Sequence, residues 1–260
     1  MAIIIVPIFI FGLIIGSFLN VVIYRYNTGR TLSGRSGCMT CGKKLSWYEL
    51  VPVLSFFLQR GRCRQCYSKI SWQYPLVELT TGLLFVLVYT QLSATNWLLF
   101  ALYALMVAVL MIITVYDLRH QIIPDLFVFL FILTGLIAPF FSSGLIFPKL
   151  SAIFWGGLLT ALPLFLLWAV SRGRWLGFGD VKLALGMGIF LGPWLGLSSL
   201  MLAFWLGAIV GLTLIGLSKL SKKRKRGYNM KSELPFAPFL ILSFLITLLF
   251  NFNVINAFFF

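Results

Sequence analysis

Apolar runs close to twenty residues long recur along this 260-residue chain, and nothing else in it constrains the fold as tightly. A helix rises about 1.5 Å per residue, so about twenty apolar residues cross the ~30 Å hydrocarbon core of a bilayer. The pattern predicts eight spans, over residues 2–24, 75–92, 97–116, 122–141, 150–170, 182–192, 195–217 and 236–257. The sixth is short, closed by "LGPW" (191–194). Charged residues are only 10% of the chain, against about 25% in soluble proteins. The expected fold class is an all-α polytopic membrane protein of about eight transmembrane helices, with a small cytoplasmic four-cysteine zinc-ribbon-like loop.

Charge sets the orientation. Lys and Arg number 21 against six acids, a net charge of +15. In a soluble chain that excess points to nucleic acid, but here no nucleic-acid partner is expected, because membrane topology accounts for it. The first run has no basic residue before it and is followed by Arg25, Arg30 and Arg35. That favours an uncleaved anchor with its N-terminus outside over a signal peptide with a basic n-region. With alternating spans, the inside segments are 25–74, 117–121, 171–182 and 218–235, and twenty of the 21 basic residues fall there, leaving Lys149 outside. The expected location is the inner or plasma membrane, with both termini outside. The loop "SKLSKKRKRGYNMKSELP" (218–235) reads as a topology determinant resting on anionic lipid.

All four cysteines lie in the first inside segment, as "CMTC" (38–41) and "CRQC" (63–66), separated by 21 residues. Each C-x-x-C pair sets two thiolates on one turn, and two such turns complete a tetrahedral sulfur site that suits zinc. A segment of about fifty residues is too small for an ordinary core. Metal binding would supply its folding energy. Disulfides are disfavoured in the cytoplasm. Four free thiols or a redox pair are the alternatives. The expectation is structural zinc on Cys38, Cys41, Cys63 and Cys66, with no open position for catalysis.

Elimination narrows the chemistry. His120 is the single histidine, so H-E-x-x-H zinc proteolysis is excluded, and no G-x-S-x-G elbow accompanies it. No phosphate-binding loop is present. The acids are Glu49, Glu78, Asp117, Asp125, Asp180 and Glu233. Glu49 and Glu233 fall in soluble loops, where a solvated charge is expected. Glu78, in "YPLVEL", sits one turn into the second span, as a helix-packing or substrate contact. Asp117, Asp125 and Asp180 all fall near the cytoplasmic interface. Carboxylates at a bilayer edge cost several kcal/mol unless partnered, which makes them functional candidates. Asp125, after Pro124, and Asp180, behind Gly177 and Gly179, both suit helix starts. Asp117 ends a span, where it opposes the helix dipole and has no such explanation. Two carboxylates brought together allow aspartyl proteolysis, since like charges at close range do not both ionise. Ion coupling in a transporter is the rival reading.

"GFGD" (177–180) fits the GxGD signature of intramembrane aspartyl proteases, and "GFGDVKLA" resembles the type IV prepilin peptidase family. So do, in order, "GSFLNVVIYR" (16–25), the cysteine pairs, "YPLVEL" (74–79), "YDLRHQIIPD" (116–125) and "PFAPFL" (235–240). Ala237 stands where the family usually has glycine. The stretch between "IYR" and the first cysteine pair is similar to Gram-positive competence members. The resemblance implies a prepilin leader peptidase with Asp117 and Asp180 as the catalytic pair and Asp125 outside it. Its implied substrates are prepilins or pseudopilins, cut after a glycine at the cytoplasmic membrane face. It also implies N-methylation of the new N-terminus with S-adenosylmethionine, for which the residues themselves reveal no site. The domain organisation expected is a first span (1–24), a four-cysteine loop (25–74) tied to the methyltransferase part, and a membrane-embedded peptidase domain (75–260). A non-catalytic pilus assembly component is a third reading.

Overall fold

The computed structural model describes residues 2–29, 31, 34–93, 96–141, 150–220 and 234–254. Glu233, Lys149 and most of the basic loop lie outside the described residues. Among the described residues the fold is all-α, with two isolated backbone bridges and no strand. Its principal helices are Ala2–Arg25 (α1), Leu54–Leu58 (α2), Gln73–Val88 (α3), Trp97–His120 (α4), Asp125–Phe141 (α5), Leu150–Ser171 (α6), Phe178–Leu220 (α7) and Ala237–Phe250 (α8). Five helical segments are long and apolar enough to cross a membrane, and α5 and α8 are shorter apolar helices. The sixth and seventh expected spans form one element, α7, broken at Gly192, where φ is 74° and ψ −179°. Pro193 follows. Only glycine adopts that backbone readily, and a proline has no N–H for the helix ladder.

The chain divides into two compact units, residues 1–112 and 113–260. In the first, α1 and α3 touch backbone to backbone. A Cβ on Gly12 would lie 2.7 Å from the Gly82 Cα, and one on Gly16 would lie 2.7 Å from the Glu78 Cα. Small residues let membrane helices approach this closely. Asn20, 1% exposed, fastens the pair by donating to the Tyr74 and Gly16 carbonyls, each at 3.3 Å, and accepting from Gln73 Nε2 at 3.2 Å.

In the second unit, Phe131 of α5, Phe190 of α7 and Phe244 of α8 form a ring cluster with centroids 5.2–5.6 Å apart. Gly186 makes room for the Phe131 ring and Gly135 for Phe190. This interlock holds the first arm of α7, and with it Asp180. The α6 and α7 backbones also meet closely. A Cβ on Gly188 would sit 2.1 Å from the Gly156 carbonyl oxygen and 2.6 Å from Thr160 Oγ1. No rotamer relieves a clash with backbone. Gly188→Ala therefore destabilises the unit by about 3 kcal/mol or more, read as a lowered melting temperature in detergent. An unchanged melting temperature would refute this close packing.

Candidate active site

Asp117 lies one turn before the end of α4. That helix closes when the Gln121 N–H donates to the Asp117 carbonyl at 2.8 Å, with Gln121 in the left-handed region (φ 54°). Residues 122–124 then lead into α5. Asp180 lies in the first turn of α7, its N–H donating to the Gly177 carbonyl at 3.2 Å. Gly179 lets the two chain segments meet, because a Cβ there would lie 2.8 Å from that of Ile123. The two carboxylates are thereby brought together, close enough for their charges to act on each other. Both are buried, Asp117 at 5% and Asp180 at 7% exposed.

Their surroundings differ. Asp117 Oδ2 accepts the Ala237 N–H, at the start of α8, at 3.2 Å. Asp117 opposes the dipole of its own helix, and the positive end of another supplies the compensation. Sequence reasoning missed this partner, although "PFAPFL" contains a proline next to the residue that opens α8. Asp180 Oδ1 is buried with no hydrogen-bond partner among the described residues. Buried carboxylate oxygens are rarely left so, which marks a place where another group belongs. Asp125 opens α5 as expected and is not part of this pair. Its carboxylate, 60% exposed, forms an ion pair with Lys182, which also lies over the Phe178 ring at 5.4 Å. The His120 ring rests against Tyr116, centroids 4.5 Å apart.

The cysteines form a second cluster, in the N-terminal unit. All four sulfurs lie within 4.8 Å of one another, and Cys38 Sγ is 3.7 Å from Cys66 Sγ. Metal–sulfur bonds of about 2.3 Å set tetrahedral sulfurs about 3.8 Å apart, so the four fit a metal. Each pair sits on the same knuckle. In the first, the Cys38 N–H donates to the Lys43 carbonyl, and the Gly42 N–H to that of Cys38. In the second, Cys63 donates to Ser68, and Tyr67 to Cys63. Gly42 (φ 71°) and Tyr67 (φ 56°) hold the same left-handed place. No repeat is visible in the sequence beyond the cysteines, because this one is of backbone shape. N–H groups of Cys41 and Thr40 aimed at the Cys38 sulfur pull its pKa down to about 6. The Ser68 hydroxyl lowers that of Cys66.

Glu49 departs from expectation. It is 5% exposed rather than solvated. It accepts the Ser46 N–H at 2.9 Å and pairs with Lys43 at 3.0 Å. These hold its carboxyl below the usual range, the Ser46 N–H most strongly. The spacing Ser46-x-x-Glu49 is a capping-box signature that would have revealed it. Glu78 is buried too, and accepts the Val53 N–H at 2.7 Å.

Two family models match the chain: the bacterial peptidase A24 N-terminal domain over residues 10–92, and the type IV leader peptidase family over residues 104–212. A prepilin leader peptidase/N-methyltransferase of Aeromonas hydrophila is 32% identical over 280 residues, covering 93% of this chain and 89% of the relative. The chain belongs to the type IV leader peptidase family.

A Bacillus subtilis relative of the same name is 29% identical over 95% of each chain. A Myxococcus xanthus relative is 36% identical over 80% of this chain, which spans 62% of that relative's length. No solved structure matches. As a type IV leader peptidase family member the chain is an enzyme, a peptidase of multi-pass membrane architecture. Asp117 and Asp180 both fall in the span matched by the leader peptidase model, and the cysteines in the N-terminal one.

Proposed function

We propose that Asp117 and Asp180 are the catalytic dyad of an endopeptidase that removes the basic leader of type IV prepilins or pseudopilins. The observation that carries this is the buried pair itself, with one Asp180 oxygen lacking a partner. One carboxylate, ionised, takes a proton from a water whose oxygen attacks the scissile carbonyl carbon. The other, protonated, donates to the carbonyl oxygen as the tetrahedral intermediate forms. Collapse of that intermediate breaks the C–N bond, and the proton held by the first carboxylate passes to the leaving amine. The relatives' names also include an N-methyltransferase, and we assign that second activity to this chain, with S-adenosylmethionine as donor. Incubating the purified enzyme and its aspartate variants with a prepilin, and following the shortened product, tests the cleavage.

The peptidase chemistry lies within residues 75–260. Residues 25–74 form a cytoplasmic four-cysteine loop, after a first span over 1–24, and belong to the methyltransferase part. Structural zinc holds that loop, bound by Cys38, Cys41, Cys63 and Cys66. Leader cleavage takes place at the cytoplasmic face, with both chain termini outside. The basis is the sorting of twenty of the 21 basic residues to one side. Gly144→Cys reacts with an impermeant maleimide added to intact cells, whereas Lys223→Cys reacts only in inverted vesicles, each read above the unmutated chain. Labelling of Lys223→Cys from outside would overturn the orientation.

A further inference from the structure

The N-terminal unit turns an apolar face outward where its cysteine-bearing segment meets α3. Leu54, Phe57 and Leu58 of α2, with Trp72 at the cap of α3, are 55–74% exposed. The three α2 residues recur at the three- and four-residue spacing that lines one side of a helix. Phe56, on the other side, is buried. The Phe57 and Trp72 rings meet edge to face, centroids 6.4 Å apart, so helix and cap form one patch. Contiguous apolar surface of this kind marks an interaction site.

Two contacts fix the depth at which this face sits. Glu78 of α3 accepts the Val53 N–H at 2.7 Å, and Val53 immediately precedes α2. The Phe56 ring packs on Trp72, centroids 4.8 Å apart. Residues Gln73–Leu92 form a helical segment long and apolar enough to cross a membrane. At about 1.5 Å per residue, Glu78 lies about 8 Å along that segment from Gln73. α2 is therefore fastened beside the outermost ~8 Å of a membrane span. Helices that lie in a bilayer surface bury their apolar face about 5–10 Å into the boundary between headgroups and acyl chains. A tryptophan at the end of a span belongs at that same level.

Charge indicates the kind of lipid. Residues 50–77 contain no acid, while Arg60, Arg62, Arg64 and Lys69 follow α2 and are all exposed. Arg62 and Lys69 are paired across an isolated antiparallel bridge. Glu49 and Glu78, the two acids of residues 1–112, are both buried. Among the described residues of this unit the exposed side-chain charge is thus all positive, and basic segments beside a bilayer are drawn to anionic headgroups.

We propose that α2 and Trp72 dock on the bilayer that the chain itself spans. Leu54, Phe57, Leu58 and Trp72 enter the upper acyl chains, and Arg60, Arg62 and Lys69 meet anionic phospholipid headgroups. Lipid is the occupant because α3 sets the patch at interfacial depth and the charge beside it is uncompensated. Docking also accounts for α2 itself. Five residues are too few for an isolated helix, and lipid supplies the wall on the side that Phe56 does not cover. The four-cysteine segment is thereby tethered to the membrane at a place besides its two flanking helices. This holds for either orientation of the chain, since it depends only on where α3 begins.

The test places the full chain in nanodiscs of phosphatidylcholine, with or without phosphatidylglycerol. A photoreactive benzoylphenylalanine in place of Leu58, a residue exposed enough to tolerate the exchange, forms adducts with lipid acyl chains. Adducts are about fivefold more abundant in the anionic discs. Arg60→Gln, Arg62→Gln and Lys69→Gln together remove that dependence on anionic lipid and leave the melting temperature unchanged. Adducts to a second copy of the chain in place of lipid overturn the assignment, as does equal lipid labelling in both kinds of disc. Hydroxyl-radical footprinting of the unaltered chain depends on no variant. Phe57 and Trp72 oxidise about fivefold more slowly in the anionic discs than in the neutral ones. Oxidation rates that ignore the lipid overturn the docking.

Discussion

Asp117→Asn and Asp180→Asn each abolish leader cleavage, lowering kcat/KM by about a thousandfold or more. An amide neither takes a proton from water nor returns one to the leaving amine, so either substitution removes half of the proton traffic. Residues that act as a unit are non-additive, so the double variant is scarcely worse than either single one. Folding is not the cause of the loss. Asn keeps an oxygen for the Ala237 N–H that Asp117 accepts. At Asp180 the substitution removes a charge that has no hydrogen bond at one of its two oxygens. Both variants therefore insert and accumulate like wild type. Asp125→Asn is the control, since its carboxylate is mostly exposed and its partner is Lys182. Loss of an exposed pair is worth about 1 kcal/mol or less, and Asn still starts a helix well. Substantial cleavage by Asp125→Asn is expected. Near wild-type cleavage by Asp117→Asn or Asp180→Asn would sink the dyad.

Removal of the metal is the second large effect. Purified protein carries one zinc per chain, and its four cysteines resist alkylation until a chelator is added. Structural zinc contributes about 10–16 kcal/mol to the folding of small domains. The chelated loop accordingly unfolds and becomes sensitive to protease. Cys63→Ser, which changes the one buried member of the cluster, has the same effect as chelation. Acidification does so too, because protons compete with metal for the sulfurs, so binding is retained at neutral pH and lost as the pH falls. Cleavage declines indirectly, since Asp117 and Asp180 are in the other unit. Protein with no zinc and four freely alkylated thiols would refute the site.

Glu49 and Asp117 illustrate different limits of reading a sequence. Glu49 was legible, because Ser46 lies three residues before it and a capping box is a local pattern. Its burial was overlooked because a polar loop looks solvated throughout. For Asp117 the sequence posed only the difficulty, a carboxylate at the wrong end of a helix. Its answer comes from Ala237, 120 residues away. No local pattern encodes a contact of that separation. The two cysteine knuckles stand between these cases, since the spacing is written in the chain but the shared backbone turn is not. Residues as unlike as Gly42 and Tyr67 occupy it.

What the sequence by itself determined follows from transfer energies and short spacings. Apolar length dictates the spans, and two C-x-x-C pairs announce a sulfur cluster. Each is set by residues within about twenty positions of one another. Beyond the family resemblance, the residues left open which carboxylates meet, and tertiary structure decided it. Asp125 is nearer in sequence to Asp117 than Asp180 is, yet it turns to Lys182. Asp180 reaches Asp117 because Gly179 admits Ile123 and the phenylalanine cluster fixes the first arm of α7. That choice depends on close packing among helices distant in the chain, where a single methyl group decides whether two backbones touch.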